Sequence, residues 1–114
     1  MNDLIDEYLN FLVVERGVSH LTLEAYSRDL NRYINFIQSC GIKTIMDINA
    51  DDVILYLAQV KKDGLNARST NRGMAAVRGF YKFLLREKKI DTSPVANIEM
   101  AKVWTRLPDT LSQE

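Results

Sequence analysis

The chain has 114 residues, 46% hydrophobic and 26% charged, with 15 basic and 15 acidic side chains and a formal net charge of zero. That length suits one domain with a core of its own, and the composition excludes a disordered chain. A single cysteine, Cys40, rules out an internal disulfide framework and predicts a cytoplasmic protein, while the absence of a long apolar run or a secretory pattern in MNDLIDEYLN predicts neither export nor a membrane partner.

Four segments carry helical periodicity and none sustains the alternation of a half-buried strand, so the fold class expected is all-α. The first helix is predicted over residues 3–16, with Ile5, Tyr8, Leu9 and Leu12 as its apolar stripe and Gly17 as its stop. The second begins near Ser19, a good N-cap, and continues to Cys40 before Gly41, with Leu23, Tyr26, Leu30, Tyr33, Ile34 and Ile37 inward. Asn49 caps a third helix that buries Val53, Tyr56, Leu57 and Val60 and ends around Lys61, Lys62 and Gly64. A fourth starts between Asn66 and Thr70 and runs to about Lys88, with Met74, Val77, Tyr81, Leu84 and Leu85 facing the core. Ser93 before Pro94 signals a short fifth helix. Past Lys102 the pattern fades, so residues 1–101 are expected to form the domain and 102–114 a linker toward a further domain.

Net neutrality argues against a polyanionic partner, but the charge is unevenly spread. Residues 1–60 hold four basic and nine acidic side chains, whereas 61–89 hold nine basic against Asp63 and Glu87 alone. Projected at 100° per residue, Arg68, Arg72, Lys82 and Arg86 fall along one line of the fourth helix, with Ala75 and Gly79 between them, and Arg78 and Lys88 are placed to widen it. Small residues amid long cations let a helix backbone approach a phosphate surface. The same pattern also fits a solvated helix face with Ala75 and Gly79 at a helix–helix contact. Arg16, on another helix, is expected to matter little.

A second polar line, Ser19, His20 and Thr22, sits at the positive end of the second helix, where a phosphate is welcome; taken alone, simple N-capping by Ser19 with Thr22 as its N3 neighbour is the plainer reading. His20 is the only histidine and has no partner at ligand spacing, so no metal is expected. All five tyrosines fall among apolar neighbours and read as core, and no phosphate loop, cysteine–histidine cluster or apolar carboxylate pair is present, so no catalytic residue, cofactor or small-molecule substrate is predicted.

The run Ser19-x-x-Thr22-x-x-x-Tyr26-x-x-Asp29-Leu30 resembles the opening of the core-binding domain of tyrosine site-specific recombinases and phage integrases. Ser69-x-x-Arg72, Ala76-Val77-Arg78, Phe80-Tyr81-x-Phe83-Leu84 and Arg86-Glu87-Lys88, followed by the Asp91-to-Pro94 turn, is similar to that family's last long helix. Arg106-Leu107-Pro108-x-x-Leu111-Ser112 looks like the linker of the Xer-type members. The resemblance implies a SAM-like bundle of four main helices that clamps double-stranded DNA, with Ser19, His20 and Thr22 and the line Arg68, Ser69, Arg72, Arg78, Lys82 and Arg86 as DNA contacts. It also implies that the catalytic residues belong to a later domain and that other recombinase protomers are partners of the whole protein. Gly73 and Gly79 depart from the pattern in the fourth helix, where each costs up to about 1 kcal/mol relative to Ala. Two rival readings are a helical protein-interaction module and a free-standing helix-turn-helix factor; the latter wants a shorter turn than residues 41–48 or 63–68 provide.

Overall fold

The computed structural model describes residues 1–99, which form four α-helices: α1 (Asn2–Arg16), α2 (His20–Ser39), α3 (Ala50–Lys62) and α4 (Ala67–Arg86). Among them there is no strand. Each helix boundary has a local cause. Gly17 adopts the left-handed conformation at φ 60° and closes α1 by donating its N–H back to the Leu12 carbonyl. Ser19 accepts from the Thr22 N–H to start α2. Asn49 and Asp52 form a reciprocal capping box at α3, with the Asn49 N–H donating to Asp52 Oδ2 at 2.9 Å and the Asp52 N–H to Asn49 Oδ1 at 3.1 Å. Asn66 caps α4 by accepting from the Ser69 N–H at 2.8 Å.

α4 is the centre of the bundle and packs against all three other helices. Its inward face supplies Met74, Val77, Phe80, Tyr81 and Leu84, which meet Ile5, Tyr8 and Leu12 of α1, Leu30, Tyr33, Ile34 and Ile37 of α2, and Val53, Leu57 and Val60 of α3. Tyr33 and Tyr81 are fully buried, stand edge to face, and share a hydroxyl–hydroxyl hydrogen bond of 2.6 Å. Tyr33 also meets the Tyr56 ring edge-on with centroids 5.0 Å apart, so one aromatic column ties α2 to both α3 and α4.

Three expectations need correction. The segment at Ser93 and Pro94 forms turns rather than a fifth helix: the Ser93 hydroxyl accepts from the Val95 N–H, and the Ala96 and Ile98 N–H groups close three-residue turns onto Ser93 and Val95. So few residues cannot repay helix nucleation, and the burial of Ile90, Val95 and Ile98 holds the segment in place instead. Leu85, expected inward, is 38% exposed, because α4 turns its Leu84 side to the core and the chain leaves the helix directly afterwards, with Lys88 in the left-handed conformation. Tyr26 is half-buried at the edge of the core, whereas the other four tyrosines are buried. A 3-10 turn, Ile45–Asp47, anchors the α2–α3 connection by burying Ile45. The expected boundary at residues 101 and 102, and the linker after it, lie outside the described residues.

The two glycines inside α4 occupy different surroundings. A Cβ at Gly79 would collide with the Tyr8 hydroxyl, so this glycine is the socket that lets α1 approach α4. A Cβ at Gly73 would meet only the Asp29 side chain, at an ordinary 3.7 Å. Gly73→Ala is therefore expected to stabilise the domain by about 0.5–1 kcal/mol through helix propensity. Gly79→Ala should destabilise it by about 1–3 kcal/mol through overpacking. Urea unfolding of both variants checks this, and shifts of the same sign would contradict the packing.

Burial also makes the core sensitive to alkali. Desolvation by burial raises the phenols of Tyr33 and Tyr81 well above the usual 10.0 and, against an opposing pull from Arg32, pushes Tyr56 up to about 12. Such phenols keep their protons longer folded than unfolded, so the stability they contribute is complete below the unfolded pKa and is lost as pH rises through it toward the folded values. Ultraviolet titration should show these tyrosines ionising together with loss of helical circular dichroism above about pH 10. Ionisation of Tyr33 and Tyr81 with the helices intact would contradict their burial.

Candidate nucleic-acid interface

Opposite its buried face, α4 carries Arg68, Arg72, Lys82 and Arg86, all exposed and along one line, with Ala75 exposed between them. The line is divided by its neighbours. Its first half runs beside α2 and its second half beside α1, where Tyr8 covers Gly79. Gly79 thus belongs to a helix–helix contact, and only Ala75 remains a small exposed residue on the stripe.

Arg72 is the most constrained of the four. Its Nε donates to Asp29 Oδ2 at 3.0 Å and its Nη2 to Asp29 Oδ1 at 2.9 Å, a paired bridge from α4 to α2. Asp29 is 1% exposed and the Arg72 side chain 43%, so a buried carboxylate grips one edge of a guanidinium that reaches the surface. These hydrogen bonds, helped by the carboxylate charge, raise the already high pKa of Arg72 and keep it cationic. Arg32 stands 3.9 Å from the same carboxylate. The other edge of the Arg72 guanidinium, Nη1 with the second Nη2 hydrogen, has no partner among the described residues, which leaves a forked donor in a fixed orientation.

The remaining cations differ in their ties. Arg78 is half-buried and donates through Nη2 to the Ile98 carbonyl, so it pins the segment after α4 onto the bundle. Arg86 lies over the Phe11 ring with its guanidinium carbon 4.5 Å from the centroid and also reaches Glu87 at 3.5 Å. Arg16 lies over the same ring at 5.7 Å. Although it lies on another helix, Arg16 lines one groove with Lys82 and Arg86. No local pattern reveals this, because the meeting is made by the crossing of α1 over α4.

At the start of α2, Ser19 Oγ donates to Thr22 Oγ1 at 3.0 Å while accepting from the Thr22 N–H at 3.2 Å. His20 is exposed and sits 3.1 Å from Glu24 one turn later. Thr22, Tyr26 and Asp29 recur at helical spacing, so the polar start of α2 shares the side of the helix that carries Asp29 to Arg72. Arg68 and Ser69 lie in the first turn of α4; Ser69 is half-buried and Arg68 is exposed. Among the described residues, no cluster of three or more His, Cys, Asp or Glu is placed to hold a metal ion, and no helix is long and apolar enough to cross a membrane.

Comparison with known proteins puts these helices in context. Residues 5–88 match the family described as phage integrase, N-terminal SAM-like domain. Over 113 residues the chain is 35% identical to a tyrosine recombinase XerD of Listeria innocua, a match covering 98% of this chain and 38% of that protein. It is 36% identical over 115 residues to a tyrosine recombinase XerD of Halalkalibacterium halodurans, covering 100% of this chain and 38% of that one. A tyrosine recombinase XerD of Staphylococcus epidermidis is 36% identical over 111 residues, covering 97% and 38%. The chain therefore spans 38% of the length of these relatives. No solved structure matches it. Because the matched residues run from the first buried turn of α1 to the end of α4, the chain belongs to the phage integrase family as an N-terminal SAM-like domain.

Proposed function

We propose that this chain is the part of a tyrosine site-specific recombinase that clamps double-stranded DNA, and that the whole protein breaks and rejoins DNA through a tyrosine ester made in a separate catalytic domain. The observation that carries the reading is the exposed face of α4, where Arg68, Arg72, Lys82 and Arg86 line up without an intervening acid. Such a face supplies the phosphate neutralisation on which duplex affinity rests. The relatives' description as tyrosine recombinases supports it. In this reading the whole protein works in the cytoplasm with other recombinase protomers, in chromosome dimer resolution or DNA integration.

Roles follow from the ties of each side chain. Arg68, Lys82 and Arg86 meet phosphates. Arg72, oriented by Asp29 along one edge, offers the other to a base in the major groove, as a fork suited to the O6 and N7 acceptors of guanine. Ser19, His20 and Thr22 form a second contact line, with Ser69 beside Arg68 near the α4 start. Arg78 is committed to the Ile98 carbonyl and is left out of the contact set. In this reading the nucleophile belongs to the catalytic domain, and the burial of Tyr8, Tyr33, Tyr56 and Tyr81, whose ionisation desolvation opposes, supports it. A protein-interaction module is the second reading, favoured by the exposed Val13 and Val14 of α1 and Ile54 and Leu55 of α3.

Fluorescence anisotropy of a labelled duplex against salt separates the two. DNA clamping predicts affinity that falls steeply between about 50 and 200 mM salt, with a log–log slope near −0.9 per phosphate neutralised. Lys82→Ala should reduce that slope by about one and weaken all sequences alike. Arg72→Lys keeps the charge but loses the fork, so it should flatten sequence preference with the slope retained. Binding indifferent to salt, or unchanged in Lys82→Ala, would overturn the proposal.

A further inference from the structure

Where α1 crosses α4, a groove of about 460 Å³ opens beside the C-terminal half of the cationic stripe. Its floor is aromatic, formed by Tyr8, Phe11 and Phe83, and its charged lining consists of Arg16, Lys82 and Arg86. None of the residues lining it is acidic. Among the described residues, Arg16 and Lys82 have no carboxylate within ion-pair distance, and Arg86 meets Glu87 at 3.5 Å. Two guanidinium groups from different helices are held over a single ring, that of Phe11, at 5.7 and 4.5 Å from its centroid. A basic residue in the last turn of α1 suits the helix dipole, which accounts for a cation there. It does not account for turning that cation toward two others.

Like charges gathered against walls of low polarisability repel one another and focus a positive potential into the space between them. An anion relieves that repulsion. Lys82 and Arg86 belong both to this groove and to the stripe of α4, so a duplex lying along α4 brings its sugar–phosphate backbone to the mouth of the groove. We propose that Arg16, with Lys82 and Arg86, forms a phosphate-binding site at the α1–α4 crossing that seats one backbone phosphate of the bound duplex. Phe11 is its positioning residue, because its ring holds both guanidinium groups. The site rests on the DNA-clamping reading and extends it to a helix outside the stripe.

The test uses the 114-residue chain and a set of duplexes in which single phosphates are replaced by neutral methylphosphonates. For the wild-type chain, several replacements should each lower affinity. In Arg16→Ala the penalty at one of those positions should shrink while the others persist. Lys43→Ala, which removes an exposed charge outside the groove, should leave the penalty profile unchanged, and circular dichroism melts establish that each variant is folded. A steep salt dependence in the wild type, with the same profile in Arg16→Ala as in Lys43→Ala, overturns the site and leaves the clamp standing; that is also the outcome if the groove takes an acidic protein segment instead. Absence of salt-dependent binding in the wild type overturns the clamp, and the site with it.

Discussion

A carboxylate that is 1% exposed between two helices needs compensation for its lost hydration, and in this domain Arg72 supplies it with two hydrogen bonds to Asp29. Removing one partner of such a pair typically costs about 3–5 kcal/mol, because the other is left buried without a counterpart. The pair is therefore a strict constraint on geometry. Together with the Tyr33–Tyr81 hydrogen bond, it ties α2 to α4 at two separate points. It also fixes a surface group: the guanidinium that satisfies the buried acid presents its remaining edge in one orientation. Core packing and the orientation of a surface cation are joined at this residue pair.

α4 serves both purposes along its whole length. Its inward side contributes the most central core residues, so the helix cannot roll without opening the bundle. The outward side consequently holds its cations in a line rather than as a mobile cloud of charge. Gly79 allows the close approach of α1, which brings Arg16 to the line and creates a cationic groove from two helices. Net neutrality of the chain is no obstacle, because what an approaching polyanion feels is the local potential, and 61–89 carries nearly all of the positive excess.

Much of this was legible in the residues. Helix limits came through because Ser19, Asn49 and Asn66 are side-chain caps and Gly17 is a left-handed stop, each a local signal with a local cause. Ser93 with Pro94 carried the same kind of signal but too few residues after it, so tertiary burial decided the outcome and turns formed. The family was legible from the blocks around Tyr26 and Phe80, which is where the family match lies. Long-range partnerships were not. Asp29 and Arg72 are separated by 43 positions, Arg78 and Ile98 by 20, and Arg16 reaches the stripe only through Phe11, so nothing in periodicity or capping marks them. A polar residue such as Asp29 on the apolar side of α2 was the one available hint that a buried ion pair was required.

The central claim is that duplex DNA lies along the exposed face of α4. Backbone amide chemical shifts of the isotope-labelled chain, followed by NMR during titration with a short duplex at low salt, test it residue by residue without altering the protein. The account predicts that the large, saturable shifts map to the α4 line from Arg68 to Arg86, the start of α2 around Ser19 to Thr22, and the end of α1 at Arg16. Shifts confined to the outer surface of α3 around Ile54 and Leu55, with α4 unmoved, would contradict it.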